Sequence, residues 1–124
     1  MSHDVVADAL NQMMNARKAG LDQVVIRRHS QLLISVLAIA KLKKYITSYE
    51  LKDNKITIIF DKLNGCNAIK PRFVVKSDEI EKYVPRYLPA KDLGIIIVST
   101  PSGIMTHHTA IDKRQGGCLL AYFF

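Results

Sequence analysis

The chain has 124 residues, 48% of them apolar, and carries 18 Lys and Arg against 11 Asp and Glu, a formal charge of +7. That length and apolar content suit one domain or two very small ones and exclude an intrinsically disordered chain. They also exclude a membrane-spanning helix: the longest apolar stretch, residues 32–42, is broken by Ser35 and Lys41 and falls short of the ~20 residues a bilayer requires.

Residues 4–18 place Val5, Val6, Ala9, Leu10, Met13 and Met14 at helical spacing, with Asp4 as N-cap and Gly20 as the stop. Residues 23–28 read as a short strand that leaves through Arg27 and Arg28. Ser30 caps a second helix over residues 31–44, with Leu33, Val36, Leu37 and Ala40 on one face. Lys41, Lys43 and Lys44 suit the negative end of its dipole. Residues 46–51 and 55–61 form a hairpin through Lys52-Asp53-Asn54. LNGCN, residues 63–67, is loop material and marks the boundary between an N-terminal α+β domain, residues 1–63, and a C-terminal one, residues 64–124.

In the second half, residues 72–76 read as a strand, and Ser77 caps a short acidic helix over residues 78–83. Pro85 and Pro89 bracket a basic linker, Arg86-Tyr87-Leu88. Residues 94–98 are a buried strand, residues 103–105 are extended, and Thr106 opens a helix over residues 107–114. Gly116-Gly117 breaks that helix, and residues 118–124 form a last apolar strand. Both halves are α+β, joined by hairpins and short connections in place of regular βαβ crossovers.

The strand at residues 94–98 runs out into Ser99, Thr100, Pro101, Ser102 and Gly103, more polar residues than a turn requires. Hydroxyls donate and accept, so they suit phosphate oxygens, ribose hydroxyls and base edges, and Gly103 lets a backbone approach a ligand. Equally, such hydroxyls bond their own backbone in an ordinary turn. Gly116-Gly117, preceded by Lys113 and Arg114, reads either as a helix C-cap or as bare amides facing an anion. Both segments flank strands of one small sheet, which places them at one edge of it. Lys and Arg are spread over both halves in excess of the acids and fit a broad RNA or DNA face. Tyr83 and Tyr87 stack on bases or pack in the core.

Other chemistry finds little footing. Of His3, His29, His107 and His108, the last two point about 100° apart on a helix and share no metal easily. No second ligand pair stands at metal spacing, so neither metal nor cofactor is expected. Cys66 and Cys118 stand alone, too few for a disulfide framework, which fits a reduced intracellular protein. A buried small hydrophobe is the default for Cys118, and a Cys–His nucleophile is the enzyme alternative. No phosphate-binding lysine loop, nucleophile turn or acidic metal pair is present, which points away from an enzyme.

The segment GIIIVSTPSGIMTHHTAIDKRQGGCLLAYFF, residues 94–124, resembles the C-terminal signature of the universal small-subunit ribosomal protein eight family, called fifteen-a in eukaryotes. Gly94, Ser99, Thr100, Gly103, Ile104, Met105, Ala110, Gly116 and Gly117 fall at its fixed spacing. ADALNQMMNARKAG is similar to the family's first helix, and LNGCNAIKPRF and YLPAKDLGI resemble its archaeal and eukaryotic branch. The resemblance covers essentially the whole chain. It implies two small α+β domains packed together, each a short mixed or antiparallel sheet with helices. It implies a structural constituent of the small ribosomal subunit that binds the central domain of small-subunit ribosomal RNA and supports its folding and assembly. Neighbouring small-subunit ribosomal proteins are the other partners, on a cytoplasmic ribosome, with no membrane, small-molecule substrate, cofactor or metal.

The RNA-facing residues that the resemblance implies are Ser99, Thr100, Ser102, Gly103, Gly116 and Gly117, with Lys113 and Arg114 beside them. Asn15, Arg27, Arg28, Ser30 and Arg72 are candidates for further backbone contacts. Pro101 stands where the family usually has Ser, which removes one hydroxyl and one N–H. The hairpin at residues 52–55 is shorter than in relatives, and Lys62 replaces a usual Arg. The alternative is a stand-alone RNA- or DNA-binding regulator on the same fold.

Overall fold

The computed structural model describes residues 4–70, 72–90 and 93–124. In chain order they form α1 (Val5–Lys18), β1 (Gln23–Ile26), α2 (Gln31–Leu42), β2 (Ile46–Lys52), β3 (Lys55–Phe60), β4 (Cys66–Ala68), β5 (Val74–Val75), α3 (Ile80–Tyr87), β6 (Ile95–Thr100), β7 (Gly103–Thr106), α4 (His107–Asp112) and β8 (Gly117–Phe123). The fold is α+β, and the chain divides into two compact units, Met1–Asn67 and Ala68–Phe124.

The first unit holds an antiparallel sheet of order β1-β3-β2 with α1 and α2. Asp4 caps α1, its carboxylate accepting from the Ala7 N–H at 3.1 Å, and Val6, Ala9, Leu10 and Met13 are buried as their spacing predicts. Gly20, at φ +80, ends the helix. Its N–H donates to Arg17 O while the Leu21 N–H donates to Ala16 O, the paired bonds of a left-handed helix cap. Ser30 caps α2 by accepting from the Leu33 N–H at 3.2 Å.

α2 stops at Leu42, two residues before the sequence pattern places its end. The reason is a second left-handed cap, made this time by Lys44 at φ 68. The Lys44 N–H donates to Lys41 O and the Tyr45 N–H to Ala40 O. A Cβ in this conformation is strained against the backbone, so Lys44→Gly is expected to raise stability by roughly 1 kcal/mol. Urea unfolding would show the midpoint move up at constant slope; an unchanged midpoint would mean the strain is relieved elsewhere. β2 and β3 meet through Asp53 and Asn54 alone, both at positive φ, between the paired Lys52 and Lys55. That two-residue turn matches the twist of its strands.

The sequence places a boundary at residue 63, whereas the compact units part after Asn67. Residues 63–66 are tied into the first unit. Arg17 Nε donates to Leu63 O at 3.0 Å, and the buried Cys66 thiol donates to Leu10 O at 3.8 Å. Cys66–Ala68 is a short strand, not the loop that Gly65 and Asn67 suggest.

The second unit carries α3, α4 and strands ordered β8-β6-β7, with β5 also paired to β8. Ile80, Val84, Leu88, Ile96, Val98, Met105 and Leu119 are among its core residues. Three expectations change here. The strand read at residues 72–76 is only Val74–Val75. Ser77 is not a cap: α3 begins at Ile80 after Glu79, which makes no side-chain cap bond. The helix then continues through Pro85 to Tyr87, so Arg86-Tyr87 are helical, not linker. The proline ring removes one helical N–H, but burial of Ile80, Val84 and Leu88 and the bond from the Leu88 N–H to Val84 O hold the last turn.

Candidate nucleic-acid interface

β6 runs to Thr100, two residues beyond the predicted strand end, and pairs with β7 as Val98↔Met105, Ser99↔Ile104 and Thr100↔Gly103. The five-residue polar loop of the sequence reading is therefore a turn of Pro101 and Ser102 alone. Ser99 and Thr100 belong to the strand and point to opposite faces, as successive strand residues must.

Thr100 shares the core-facing side with Val98 and is 9% exposed. Its Oγ1 donates to Gly103 O at 2.8 Å and accepts from the Ser102 N–H at 3.2 Å. The own-backbone reading thus describes Thr100. Ser99 lies on the other side, half-buried, in a row Val74–Cys118–Ser99–Ile104 that crosses β5, β8, β6 and β7. Val74, at the end of that row, is 78% exposed. Ser102 is exposed, and its Oγ accepts from Gln115 Nε2 at 2.7 Å.

That bond ties the turn to the segment after α4. Thr106 caps α4, accepting from the Thr109 N–H at 3.3 Å. The helix ends at a third left-handed cap, Arg114 at φ 54, with the Arg114 N–H on Ile111 O and the Gln115 N–H on Ala110 O. Lys113 is the C-cap, and Arg114, not a glycine, takes the left-handed position after it. The glycines serve close approach instead. A Cβ on Gly117 would collide with the Ser99 carbonyl oxygen and stand 2.8 Å from its carbon. A Cβ on Gly116 would collide with Val75 O and stand 2.9 Å from Lys76 Cα. The two polar segments of the sequence are thus brought together, with Lys113 and Arg114 exposed beside them.

Asn15, Arg27, Arg28 and Ser30 belong to the first unit. Asn15 and Arg27 are exposed. Arg28 Nη1 sits 2.9 Å from Asp8 Oδ2, and Ser30 is occupied as the α2 cap. Arg72 is exposed in the second unit. Sequence reasoning passed over Val74, Cys118, Ile104 and Gln115, which only strand register and the Ser102 contact place at the hydroxyls.

His107 and Cys66 have structural partners. Ile97 pairs with Thr106, so the next residue, His107, stands opposite Ile96. Its Nδ1 accepts the Ile96 N–H at 3.0 Å where a strand carbonyl would otherwise serve. His107 is 2% exposed; burial, with the charge of neighbouring His108 added, pushes its pKa down to about 4. The two rings lie 4.0 Å apart. Burial raises the Cys66 thiol to about 12, which disfavours thiolate chemistry. Among the described residues no three His, Cys, Asp or Glu gather as a metal site, and no helix is long and apolar enough to cross a membrane. His3 lies outside the described residues. Tyr83 contacts Phe73 at 5.0 Å, with Arg86 over its ring, and Tyr87 contacts Tyr122 at 5.4 Å.

Comparison with known proteins bears on this arrangement. The family model described as ribosomal protein S8 matches residues 4–124. The chain is 40% identical over 129 aligned residues to small ribosomal subunit protein uS8 of Nanoarchaeum equitans, covering all of both chains. It shows the same 40% identity and full coverage against small ribosomal subunit protein uS8 of Picrophilus torridus.

Proposed function

Because the chain belongs to the ribosomal protein S8 family, we propose that the β6–β7 turn and the adjoining Gly116-Gly117 segment are the surface with which it holds ribosomal RNA. The protein is a structural constituent of the small ribosomal subunit. Its RNA target is the central domain of small-subunit ribosomal RNA, on a cytoplasmic ribosome, and it performs no catalysis. The C-terminal unit carries the main contacts, through Ser99, Ser102, Gly103, Gly116 and Gly117, with Lys113 and Arg114 supplying charge. Thr100 contributes by fixing the turn. The N-terminal unit adds backbone contacts through Asn15, Arg27, Arg28 and Ser30, and Arg72 adds one from the C-terminal unit.

The observation that supports this reading most is the Ser102–Gln115 bond at 2.7 Å. It couples the turn to the Gly116-Gly117 backbone and to two exposed cations, giving a rigid polar edge. Rigid hydroxyls and bare amides suit the shape of an irregular RNA stem, and scattered Lys and Arg add salt-dependent affinity.

Filter binding against a central-domain stem and a scrambled duplex of equal length, at two salt concentrations, tests it. Tight binding to the stem alone is expected at both salts. Ser99→Ala with Ser102→Ala should weaken it by about 2 kcal/mol, and Lys113→Ala should weaken it less while lowering the salt slope by about one. Equal binding to both RNAs, collapsing with salt, would leave only non-specific charge.

A further inference from the structure

We propose that a cleft between α3 and α4 receives a short segment of a neighbouring small-subunit protein, one in which a Lys or Arg adjoins an apolar side chain. The proposal rests on the ribosomal reading above and concerns a face that the RNA contacts do not use. The cleft has a volume of about 380 Å³, within the range of specific ligand pockets. Val84 and Leu88 of the α3 end and His107 of α4 are buried in its floor, while Glu81, Pro85 and His108 are exposed at its rim.

Three features select the occupant. The first is charge. Glu81 is the one carboxylate among the lining residues, on a chain of formal charge +7. It has no ion-pair partner among the described residues. Arg86, on the same helix, lies over the Tyr83 ring at 5.0 Å. An unpaired carboxylate repels phosphate, so RNA is disfavoured here and a cation is favoured. The second is the apolar floor, which rewards burial of an aliphatic or aromatic side chain. The third is His107: its Nδ1 is committed to the Ile96 N–H, so the ring proton resides on Nε2, a donor suited to a peptide carbonyl. A cationic-apolar peptide satisfies all three features.

The test is site-directed cross-linking in reconstituted small subunits, with photoreactive benzoylphenylalanine replacing the exposed rim residue Ala90 and, as a control, the exposed Gln12 on α1. Position 90 should cross-link to one protein segment whose sequenced peptide has Lys or Arg beside an apolar residue. Adding Glu81→Lys should cut that yield about tenfold while leaving affinity for the RNA stem within about twofold. A cross-link to RNA, a protein cross-link indifferent to Glu81→Lys, or incorporation with no cross-link above the Gln12 control would overturn the cleft proposal alone. Failure of the wild-type chain to incorporate would overturn the ribosomal reading and the cleft proposal with it.

Discussion

Gly117→Ala is expected to cost about 3 kcal/mol of folding stability and, with it, most of the affinity for RNA. The added methyl has no flexible neighbour to displace. It would meet the Ser99 carbonyl, with Thr100 Cα of the same peptide unit 3.1 Å away. Both obstacles are backbone atoms of β6, the strand that carries the hydroxyls. Relief requires β6 and β8 to separate at the Ser99↔Cys118 pair, beside the exposed turn. The change therefore acts on the fold and the site together, unlike Ser99→Ala, which removes a half-buried hydroxyl and leaves the strands in place. Urea midpoints at constant slope, paired with filter binding, separate the two cases. A loss under about 0.5 kcal/mol would place Gly117 among ordinary surface positions and remove the close approach as the reason for a glycine there.

The glycine pair shows what the sequence discloses and what it withholds. Two adjacent glycines announce that backbone is wanted without side chains. They do not say whether the neighbour is a ligand, a helix end or another strand. The answer depends on Arg114 taking the left-handed position at the end of α4, which no propensity favours in an arginine. Lys44 does the same at the end of α2. Gly20 advertised its cap because glycine is the common choice there; Lys44 reads as a partner of the helix dipole, and Arg114 as a cation beside the glycines. Three of the four cap signals served: Asp4, Ser30 and Thr106 each cap the helix their position predicts, and Ser77 does not. Pro85 misled for the opposite reason. Its local rule is strong, but Ile80, Val84 and Leu88 line one buried face across it, and packing overrides the rule.

The site was legible as composition and not as geometry. Three hydroxyls close together marked the candidate segment. A strand alternates its faces, however, and the sequence does not say where β6 ends. Once β6 reaches Thr100, one hydroxyl must turn inward, and Thr100 Oγ1 closes the turn that holds Ser102 out. The partners of Ser99 in its row, Val74 and Cys118, come from strands that begin far along the chain. Register is a long-range property, so no local window contains it. The family resemblance names the candidate positions as a group but does not divide outward-facing residues from supporting ones.

Acid should weaken the C-terminal unit through His107. The pKa of this residue lies at about 4, below the ordinary value near 6.5. Between those values the unfolded chain holds a proton that the folded chain refuses, so stability rises with pH through the window and is fully present above about pH 6.5. Lowering the pH from 7 to 4 should therefore remove about 3 kcal/mol from this group. The groups that face the ring support the direction. His108 lies 4.0 Å from it and opposes a second positive charge. The Ile96 N–H points at Nδ1, so protonation there would set donor against donor. Glu81, at the rim of the same cleft, is the one lining charge that would favour the imidazolium. His107→Asn keeps an acceptor for Ile96 and removes the titration. It should be less stable than wild type at pH 7, because it leaves space in the floor of the cleft, yet show a shallower loss between pH 6.5 and 4. Urea unfolding at four pH values would decide it. Parallel curves for the two proteins would mean that the acid sensitivity does not arise at His107. A difference that opens only below pH 6.5 would identify one imidazole, set one residue beyond the end of β7, as the pin between α4 and β6. That pin would then hold the helix whose far end places Lys113, Arg114 and Gln115 against the turn.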